Sequence, residues 1–277
     1  MTSGRAETST QIEFQEEMKM KKFAALLIAM ILVLSAAALA EGTVFKMGID
    51  PEYPPFTYLG GDGEYTGYDV TLAQGVCDIL GWELEVVPIN WDTKLIQLDA
   101  NEVDCIWSGL TIDVISPDEY SLSAAYVDST QVVITKADSD ITTLADLAGK
   151  VVGVQLGTSA DILISDGGDQ ADLGATFKDI VRTESYNVAF TELSAGSVDA
   201  IAIDLSIAQN LIGGSEDYVI LDESIASEQY GICFRLADAE MRDAVEGAFS
   251  QLVENGTYLS LAEKYDVDTA SLCLLAE

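Results

Sequence analysis

The stretch that decides the fold is an apolar strand followed by an amphipathic helix: residues 44–56 read VFKMGIDPEYPPF, and residues 69–80 read DVTLAQGVCDIL. The first six residues form an apolar run of strand length, and the proline-rich remainder ends it. In the second segment the apolar residues recur at helical spacing, and Gly81 ends the helix. Residues 82–89 then alternate between apolar and polar, which predicts a second strand. A strand, a helix and a strand in this order predict an α/β layer with parallel strands.

The same alternation of strands and helices continues along the rest of the chain. The final helix has apolar residues on one face and ends at an Asn-Gly pair. The predicted elements are a helix at 93–101, strands at 103–107 and 131–135, a short helix opened by Thr143 and Asp146, a strand at 151–155, a helix after Gly157, a helix carrying Tyr186, Ala189, Phe190 and Leu193 on one face, a strand at 200–204, a helix at 206–212, a strand at 232–235 and a helix carrying Met241, Val245, Phe249 and Leu252.

Two sets of strand-helix units, with the last helices returning to the first set, predict two lobes that the chain crosses twice. We place the crossovers at residues 128–130 and 224–227. The first lobe then comprises residues 41–128 and 228–277, and the second comprises residues 129–227. The predicted fold class is a two-lobed α/β protein with mainly parallel sheets flanked by helices and two hinge crossovers.

Residues 1–40 are typical of an export segment. Met20, Lys21 and Lys22 precede an uncharged run over residues 23–40 that ends in Ala-Leu-Ala, which predicts a secretory signal cleaved before Glu41. The alternative is a membrane anchor, because 18 uncharged residues are close to the length of a membrane span. Residues 1–17 are an upstream extension, with Met18 and Met20 as alternative starts. We therefore expect a periplasmic or extracellular protein.

The chain is strongly acidic, with 47 Asp and Glu against 13 Lys and Arg and a net charge of −34. Such a field repels nucleic acid and anionic membranes, so neither is an expected partner. It favours a cationic or neutral ligand over an anionic one. Solubility of an exported protein explains the same charge without any role in binding.

The chain contains no histidine. This excludes Ser-His-Asp and Cys-His catalysis and histidine-bound metals, so we expect neither an enzyme nor a metal or other cofactor. The four cysteines lie far apart without a CxxC pair, which makes a zinc site improbable. Cys77 and Cys105 fall on apolar faces, where buried free thiols are the simplest interpretation, while a Cys233–Cys273 disulfide stays open.

Eight short motifs, in order over residues 45–265, carry a resemblance to a known family. The chain resembles the extracellular solute-binding proteins of polar amino-acid ABC transporters, family 3. The resemblance implies the type II periplasmic-binding-protein fold, a monomer that closes by a hinge on one small ligand, and a membrane permease as partner. The motifs are MGID at 47–50, YPPF at 53–56, GYDVTLA at 67–73, VDCIWSGLTI at 103–112, LADLAGKVVGV at 144–154, GT at 157–158, DAIAID at 199–204 and NGTY at 255–258.

The resemblance also implies a ligand shell. Asp204 matches the acid that binds the ligand ammonium, although a carboxylate there can also cap the next helix. Thr158 and Ser159, at a helix start, match the carboxylate-binding loop, with an ordinary N-cap as the alternative. The remaining matches are the aromatic wall of Tyr53, Phe56 and Trp91 with Trp107 nearby, which competes with plain packing, and the hydrogen-bonding groups of Ser108, Gly109 and Thr111.

The chain departs from the family pattern at one position. After Gly-Leu-Thr-Ile the family normally has Thr-x-x-Arg, and that arginine binds the ligand carboxylate; here Asp113 and Ser116 stand at these positions. Loss of a charged hydrogen bond costs roughly 1.5–3 kcal/mol. Lys94 could approach the cleft from the helix after Trp91, but a solvated helix face is the favoured interpretation. Four hypotheses remain: an amino-acid binder, a binder of a cationic amine without a free carboxylate, an enzyme similar to cyclohexadienyl dehydratase, and a ligand-sensing partner of a membrane receptor without a role in transport.

Overall fold

The computed structural model describes residues 42–275. The predicted upstream extension and signal peptide, residues 1–40, lie outside the described residues. Among the helices of residues 42–275, none combines the length and the apolar character that crossing a membrane requires. The folded unit begins at Val44, the first residue of its first strand.

The first set of elements forms around a short parallel strand triplet. The apolar strand β1 pairs in parallel with β5 and β6, and α1 buries its apolar face against them. A separate small antiparallel sheet follows β1. It begins in the proline-rich segment, for which the sequence predicted the end of a strand and no new one. The elements are β1 (Val44–Ile49), β2 (Glu52–Tyr53), β3 (Thr57–Leu59), β4 (Tyr65–Thr66), α1 (Tyr68–Leu80), β5 (Glu83–Pro88), a 3₁₀ turn (Trp91–Thr93), α2 (Lys94–Asp99), β6 (Cys105–Thr111) and β7 (Tyr120–Leu122).

A second set of elements repeats the pattern. Here β9 pairs in parallel with β10 and β11, and an apolar core lies between these strands and their helices. The elements are β8 (Val127–Lys136), a capped 3₁₀ turn (Leu144–Leu147), β9 (Val151–Gln155), α3 (Ser159–Ile164), α4 (Ala171–Gly174), β10 (Asp179–Thr183), α5 (Tyr186–Ala195), β11 (Ala200–Asp204), α6 (Leu205–Ile212) and β12 (Tyr218–Ile220).

The last segment returns to the first set. Strand β13 pairs with β6, and the helix after it packs on α1. The last elements of the chain therefore pack against its first elements. The elements are β13 (Ala226–Arg235), a 3₁₀ turn (Leu236–Asp238), α7 (Ala239–Glu254), α8 (Thr257–Lys264) and a 3₁₀ turn (Thr269–Ser271).

The two sets share one sheet because β8 and β13 pair with each other. The strand order is β10-β9-β11-β8-β13-β6-β1-β5, parallel toward both ends and antiparallel in the middle. Residues 127–131 of β8 pair with residues 226–230 of β13. Below, "first lobe" means β1–β7 with α1, α2, α7 and α8, and "second lobe" means β9–β12 with α3–α6. A pocket lies where these lobes face each other.

Two details differ from the sequence analysis or complete it. The strand expected at residues 103–107 begins at Cys105 and extends to Thr111, because β13 continues to pair with it. All seven of its residues are buried, including the polar ones, which is why their apolar content alone gave too short a strand. The four cysteines are free, so no Cys233–Cys273 disulfide is present.

Candidate ligand-binding site

A narrow pocket of about 310 Å³ lies between the two lobes. It opens beyond the ends of β6, β9 and β11, where loops follow the strands of an α/β sheet and ligands usually bind. Seven of the eleven predicted site residues line it: Tyr53, Trp91, Gly109, Thr111, Thr158, Ser159 and Asp204. The other lining residues are Lys94, Leu110, Val114 and Gly157.

The other four predicted residues do not line this pocket. Phe56 packs edge-on against Tyr230, beneath the pocket wall, and Trp107 packs against Phe249 in the first-lobe core. The Ser108 hydroxyl accepts a hydrogen bond from the backbone N–H of Asp50 at 3.1 Å and is fully buried. Ser116 is exposed in the loop after β6. Phe56, Trp107 and Ser108 are therefore buried behind the pocket wall. Ser116 is too far out to replace the arginine of the family.

Asp204 forms the acidic wall of the pocket together with two tyrosines. It ends the buried strand β11, and its side chain does not cap α6. Its Oδ1 accepts a hydrogen bond from the Tyr230 hydroxyl at 2.7 Å, and its Oδ2 accepts one from the Tyr186 hydroxyl at 3.1 Å. Burial raises the pKa of both phenols well above 10, so they remain neutral donors. Asp204 therefore faces the cleft, as predicted from its place at the end of a strand.

Glu228 is a second acid beside Asp204 that the sequence analysis missed. It is 4% exposed; Oε2 accepts from the Thr111 hydroxyl and Oε1 from the Gln131 amide, each at 2.8 Å. Burial raises its pKa well above its usual range, and the charge of Asp204 and a hydrogen bond with that carboxylate raise it further. The available signal was strand periodicity, because Glu228 lies two residues before Tyr230 and so on the same face of β13.

Lys94 is buried and lines the pocket, so the prediction of a solvated helix face was wrong. Its Nζ donates hydrogen bonds to the Trp91 carbonyl at 3.2 Å and to the Gly157 carbonyl of the second lobe at 2.6 Å. The ammonium also lies 4.8 Å from the center of the Trp91 ring. Because α2 begins at Lys94 and helical side chains lean toward the N-terminus, the side chain reaches back into the pocket. Burial lowers its pKa to about 8.

The groups at the N-terminus of α3, which follows β9, form hydrogen bonds mainly with other groups of this chain. Thr158 is the N-cap of α3: its hydroxyl accepts from the Asp161 N–H at 3.4 Å and donates to the Gln155 carbonyl at 2.7 Å. The Gly157 N–H donates to the Asp161 carboxylate at 3.1 Å. Both groups therefore have partners within the chain. Lys94 is accordingly the basic residue among those that line the pocket.

Direct hydrogen bonds hold the lobes together around the pocket. The Gln155 amide of the second lobe donates to Asp50 of the first at 2.6 Å, and the Asn187 amide donates to Glu52 at 3.1 Å. The bond from Lys94 to the Gly157 carbonyl is a third such contact. Two α/β lobes joined by a pair of antiparallel strands, closed over a pocket with an acid on one wall and a lysine on the other, define a solute-binding protein of the hinge-bending class.

Comparison with known proteins gives the same class. Residues 45–268 match the family model of the bacterial extracellular solute-binding proteins, family 3, and the chain belongs to this family. It is 30% identical over 229 residues to the L-cystine-binding protein TcyJ of Escherichia coli K12, covering 81% of this chain and 83% of that protein. It is 29% identical over 260 residues to the histidine-binding periplasmic protein of Salmonella typhimurium, covering 89% and 97%.

Solved structures agree with this assignment. The P235GK mutant of the arginine-binding protein ArgBP from T. maritima superposes with a TM-score of 0.74 at 32% identity, covering 81% of this chain and 96% of that one. The protein is therefore an extracellular substrate-binding component of the ABC-importer type, with the type II periplasmic-binding-protein fold. Its relatives are binding proteins rather than enzymes.

Proposed function

We propose that this protein captures an amino acid, with the ligand ammonium on Asp204 and the ligand carboxylate on Lys94. The observation that carries the proposal is the opposite charge of the two pocket walls. Asp204 belongs to the second lobe and Lys94 to the first, so a zwitterion placed between them contacts both lobes. A ligand shifts a hinge equilibrium only through such differential contacts, which makes this arrangement suited to closure.

Lys94 supplies a charged hydrogen-bond donor for the ligand carboxylate, in place of the arginine that this chain lacks. A lysine ammonium has three N–H donors, and two of them are used by the Trp91 and Gly157 carbonyls. The third is available to a ligand carboxylate in the pocket that Lys94 lines. A single donor gives one charged hydrogen bond instead of the bidentate pair of an arginine. Tyr53 and Trp91 complete the proposed site as walls for the ligand side chain.

The closing motion is proposed to occur where β8 and β13 pair. In this proposal residues 41–128 and 228–277 move as one lobe and residues 129–227 as the other, about the segments that cross between them. The closed form of a monomer then presents both lobes to a membrane permease. We further propose that residues 1–40 are removed by cleavage before Glu41 on export, and that the protein has no catalytic activity.

A second candidate ligand is a cationic amine without a carboxylate. Two buried acids at the ammonium position, Asp204 and Glu228, and the exposed position of Ser116 favor it. In this case Lys94 serves only as a contact between the lobes. The two ligands differ by one carboxylate, so matched pairs of molecules separate them.

A thermal-shift experiment with matched pairs tests the proposal. The pairs are L-arginine with agmatine, L-histidine with histamine, and L-cystine with cystamine, each differing only by carboxylates. We expect at least one amino acid to raise the Tm, corresponding to about 2.7 kcal/mol at a concentration of 100 times Kd, and its amine to raise it much less. Stabilization by the amines alone would establish the second candidate.

Variants of the same protein show which residue binds the carboxylate. Lys94→Met keeps the apolar stem and removes the ammonium together with its bond to the Gly157 carbonyl, so it should lower the affinity for the amino acid about tenfold or more and the affinity for the matched amine much less. Lys178→Met makes the same change at an exposed position of the second lobe and should alter neither affinity. If Lys94→Met bound the amino acid as tightly as the wild type, Lys94 would not be the carboxylate ligand.

A further inference from the structure

A buried acid in the second lobe, Asp161, is bonded to the loop that meets Lys94, and the proposed function does not use it. Asp161 lies in the first turn of α3 and is 6% exposed. Its Oδ2 accepts a hydrogen bond from the Gly157 N–H at 3.1 Å, and its Oδ1 accepts one from the Arg182 Nε at 2.7 Å. One carboxylate oxygen therefore binds a residue that lines the pocket, and the other binds a residue of β10.

Arg182 fixes the position of this carboxylate. Its guanidinium also donates a hydrogen bond to the hydroxyl of Ser165, at the end of α3, at 2.8 Å. The Ser165 hydroxyl in turn donates to Oδ1 of Asp161 at 3.3 Å, so the three side chains form a closed set of bonds. An ion pair that belongs to such a network holds a more defined geometry than an isolated pair on the surface.

Gly157 has bonds on both sides, one within its own lobe and one to the other lobe. Its N–H donates to Asp161, and its carbonyl accepts from the Lys94 Nζ at 2.6 Å. The next N–H along the chain, that of Thr158, makes only a longer bond, to the Gln155 carbonyl at 3.4 Å. A glycine has the widest choice of backbone angles and no side chain to restrict them. The bond to Asp161 therefore restricts the residue whose carbonyl meets Lys94.

We propose that Asp161, held by Arg182, positions the Gly157 carbonyl for Lys94, so that an ion pair outside the pocket sets how firmly the lobes close on the ligand. This inference rests on the proposed function, in which Lys94 also binds the ligand carboxylate. Asp161 and Arg182 touch no ligand in this mechanism and act as positioning residues. Because they order Gly157 before the lobes meet, the contact forms with a smaller loss of conformational freedom.

Two substitutions with opposite changes in charge separate positioning from a purely electrostatic effect on Lys94. Asp161→Asn has one acceptor oxygen in place of two, so Gly157 and Arg182 no longer have one each. Arg182→Met removes the guanidinium and leaves the carboxylate without its ion-pair partner. The first change makes the lobe less negative and the second makes it more negative, yet both loosen Gly157. We therefore expect both variants to weaken ligand binding, whereas an electrostatic effect would have opposite signs in the two.

Hydrogen exchange tests the positioning without any ligand. The bond between Gly157 and Asp161 lies within the second lobe, so it does not depend on closure. Exchange of the Gly157 amide, followed by NMR in the ligand-free protein, should be about tenfold faster in Asp161→Asn and also faster in Arg182→Met.

The matched control for this measurement is another ion pair of the chain. Asp140→Asn removes the exposed partner of Lys150, 2.6 Å from its Nζ, and should leave the exchange rate of Gly157 unchanged. A rate that stays at the wild-type value in either Asp161→Asn or Arg182→Met overturns the inference and leaves the proposed function standing.

Calorimetry tests whether the positioning acts through Lys94. The amino acid that gives the largest thermal shift among L-arginine, L-histidine and L-cystine is titrated into the wild type, Asp161→Asn, Lys94→Met and the double variant. We expect Asp161→Asn to lower the affinity about tenfold in the wild type and to have almost no further effect in Lys94→Met, because no ammonium then meets the Gly157 carbonyl. A merely structural role would not depend on Lys94.

Two results of this titration are decisive in different ways. A loss of affinity of the same size in the wild type and in Lys94→Met overturns the inference. If no amino acid binds the wild type, the proposed function fails, and the exchange rates still decide whether Asp161 and Arg182 order Gly157.

Discussion

Asp69 lies in the first turn of α1 and is fully buried beneath the ligand pocket. Its Oδ2 accepts hydrogen bonds from the Gly109 N–H at 2.7 Å and the Tyr126 hydroxyl at 2.8 Å. Gly109 lines the pocket with a φ of 53°, and a Cβ there would lie 2.5 Å from the Tyr53 ring. Asp69 therefore holds the backbone of a pocket wall at a position that only glycine can occupy without strain.

Burial of this carboxyl makes stability depend on pH. Desolvation raises the pKa of Asp69 to about 7 from 3.8, although its hydrogen bonds act in the opposite direction. The folded state therefore binds more protons than the unfolded state between these values, and stability falls as pH rises through this range. Asp69→Asn should make that decline shallower, measured as the free energy of unfolding in urea at several pH values. Asp78→Asn, an exposed position on the same helix, should match the wild type; an equal change in both variants would contradict the assignment.

The residue scale is also where the sequence is least informative. Asp204 was predicted to face the cleft from its position at the end of an apolar strand, and it does so in the structure. Lys94 and Glu228 were not predicted as site residues. Whether a lysine in a first helical turn points to water or to a cleft depends on the element that faces it, here the loop at Gly157. The distance from the Lys94 ammonium to the Gly157 carbonyl is set by the packing of the two lobes. No local pattern in the sequence reports it.

At the scale of elements, the loop between β9 and α3 makes a close contact between the lobes. Gly157 has a φ of 74°, and a Cβ added there would lie 2.9 Å from the Asp92 Cα of the first lobe. Glycine is therefore required twice, once for the backbone angle and once for the contact. In the proposed open form the lobes separate and this contact is lost, so a side chain here opposes closure.

Gly157→Ala should therefore weaken ligand binding more than it weakens the fold. The left-handed backbone costs about 1 kcal/mol in stability for any non-glycine residue. Gly149→Ala is the matched control, because Gly149 has a φ of 73° and open space around its Cβ position. Isothermal titration with L-arginine should show a loss of tenfold or more in Gly157→Ala and no change in Gly149→Ala. Equal affinities in the two variants would show that the contact does not limit closure.

The order of elements followed from the sequence because apolar periodicity is local. In the two parallel groups, β1, β5, β9 and β11 lie where the spacing predicted them, β6 extends further toward its carboxyl end, and β10 was not predicted. The small sheet of β2, β3 and β4 was missed because its two- and three-residue strands are too short to show a period. Strand β13 was predicted only over its apolar end, because its first residues pair with β8 and carry polar side chains such as Glu228.

At the scale of the whole molecule, we propose that the protein has an open and a closed state. The two lobes carry opposite charges toward one pocket, and direct bonds such as Gln155 to Asp50 hold the closed form. A ligand stabilizes this form to the extent that it binds both walls at once. We therefore propose that a zwitterion closes the protein by joining Asp204 to Lys94.

Small-angle X-ray scattering with one matched pair tests this claim most directly. The radius of gyration is measured for the protein alone, with a saturating amino acid, and with its decarboxylated amine, using the pair with the largest thermal shift. We expect the amino acid to decrease the radius of gyration and the amine to leave it close to the ligand-free value, even where the amine binds. Equal closure by both ligands, or binding of the amino acid without closure, would contradict it.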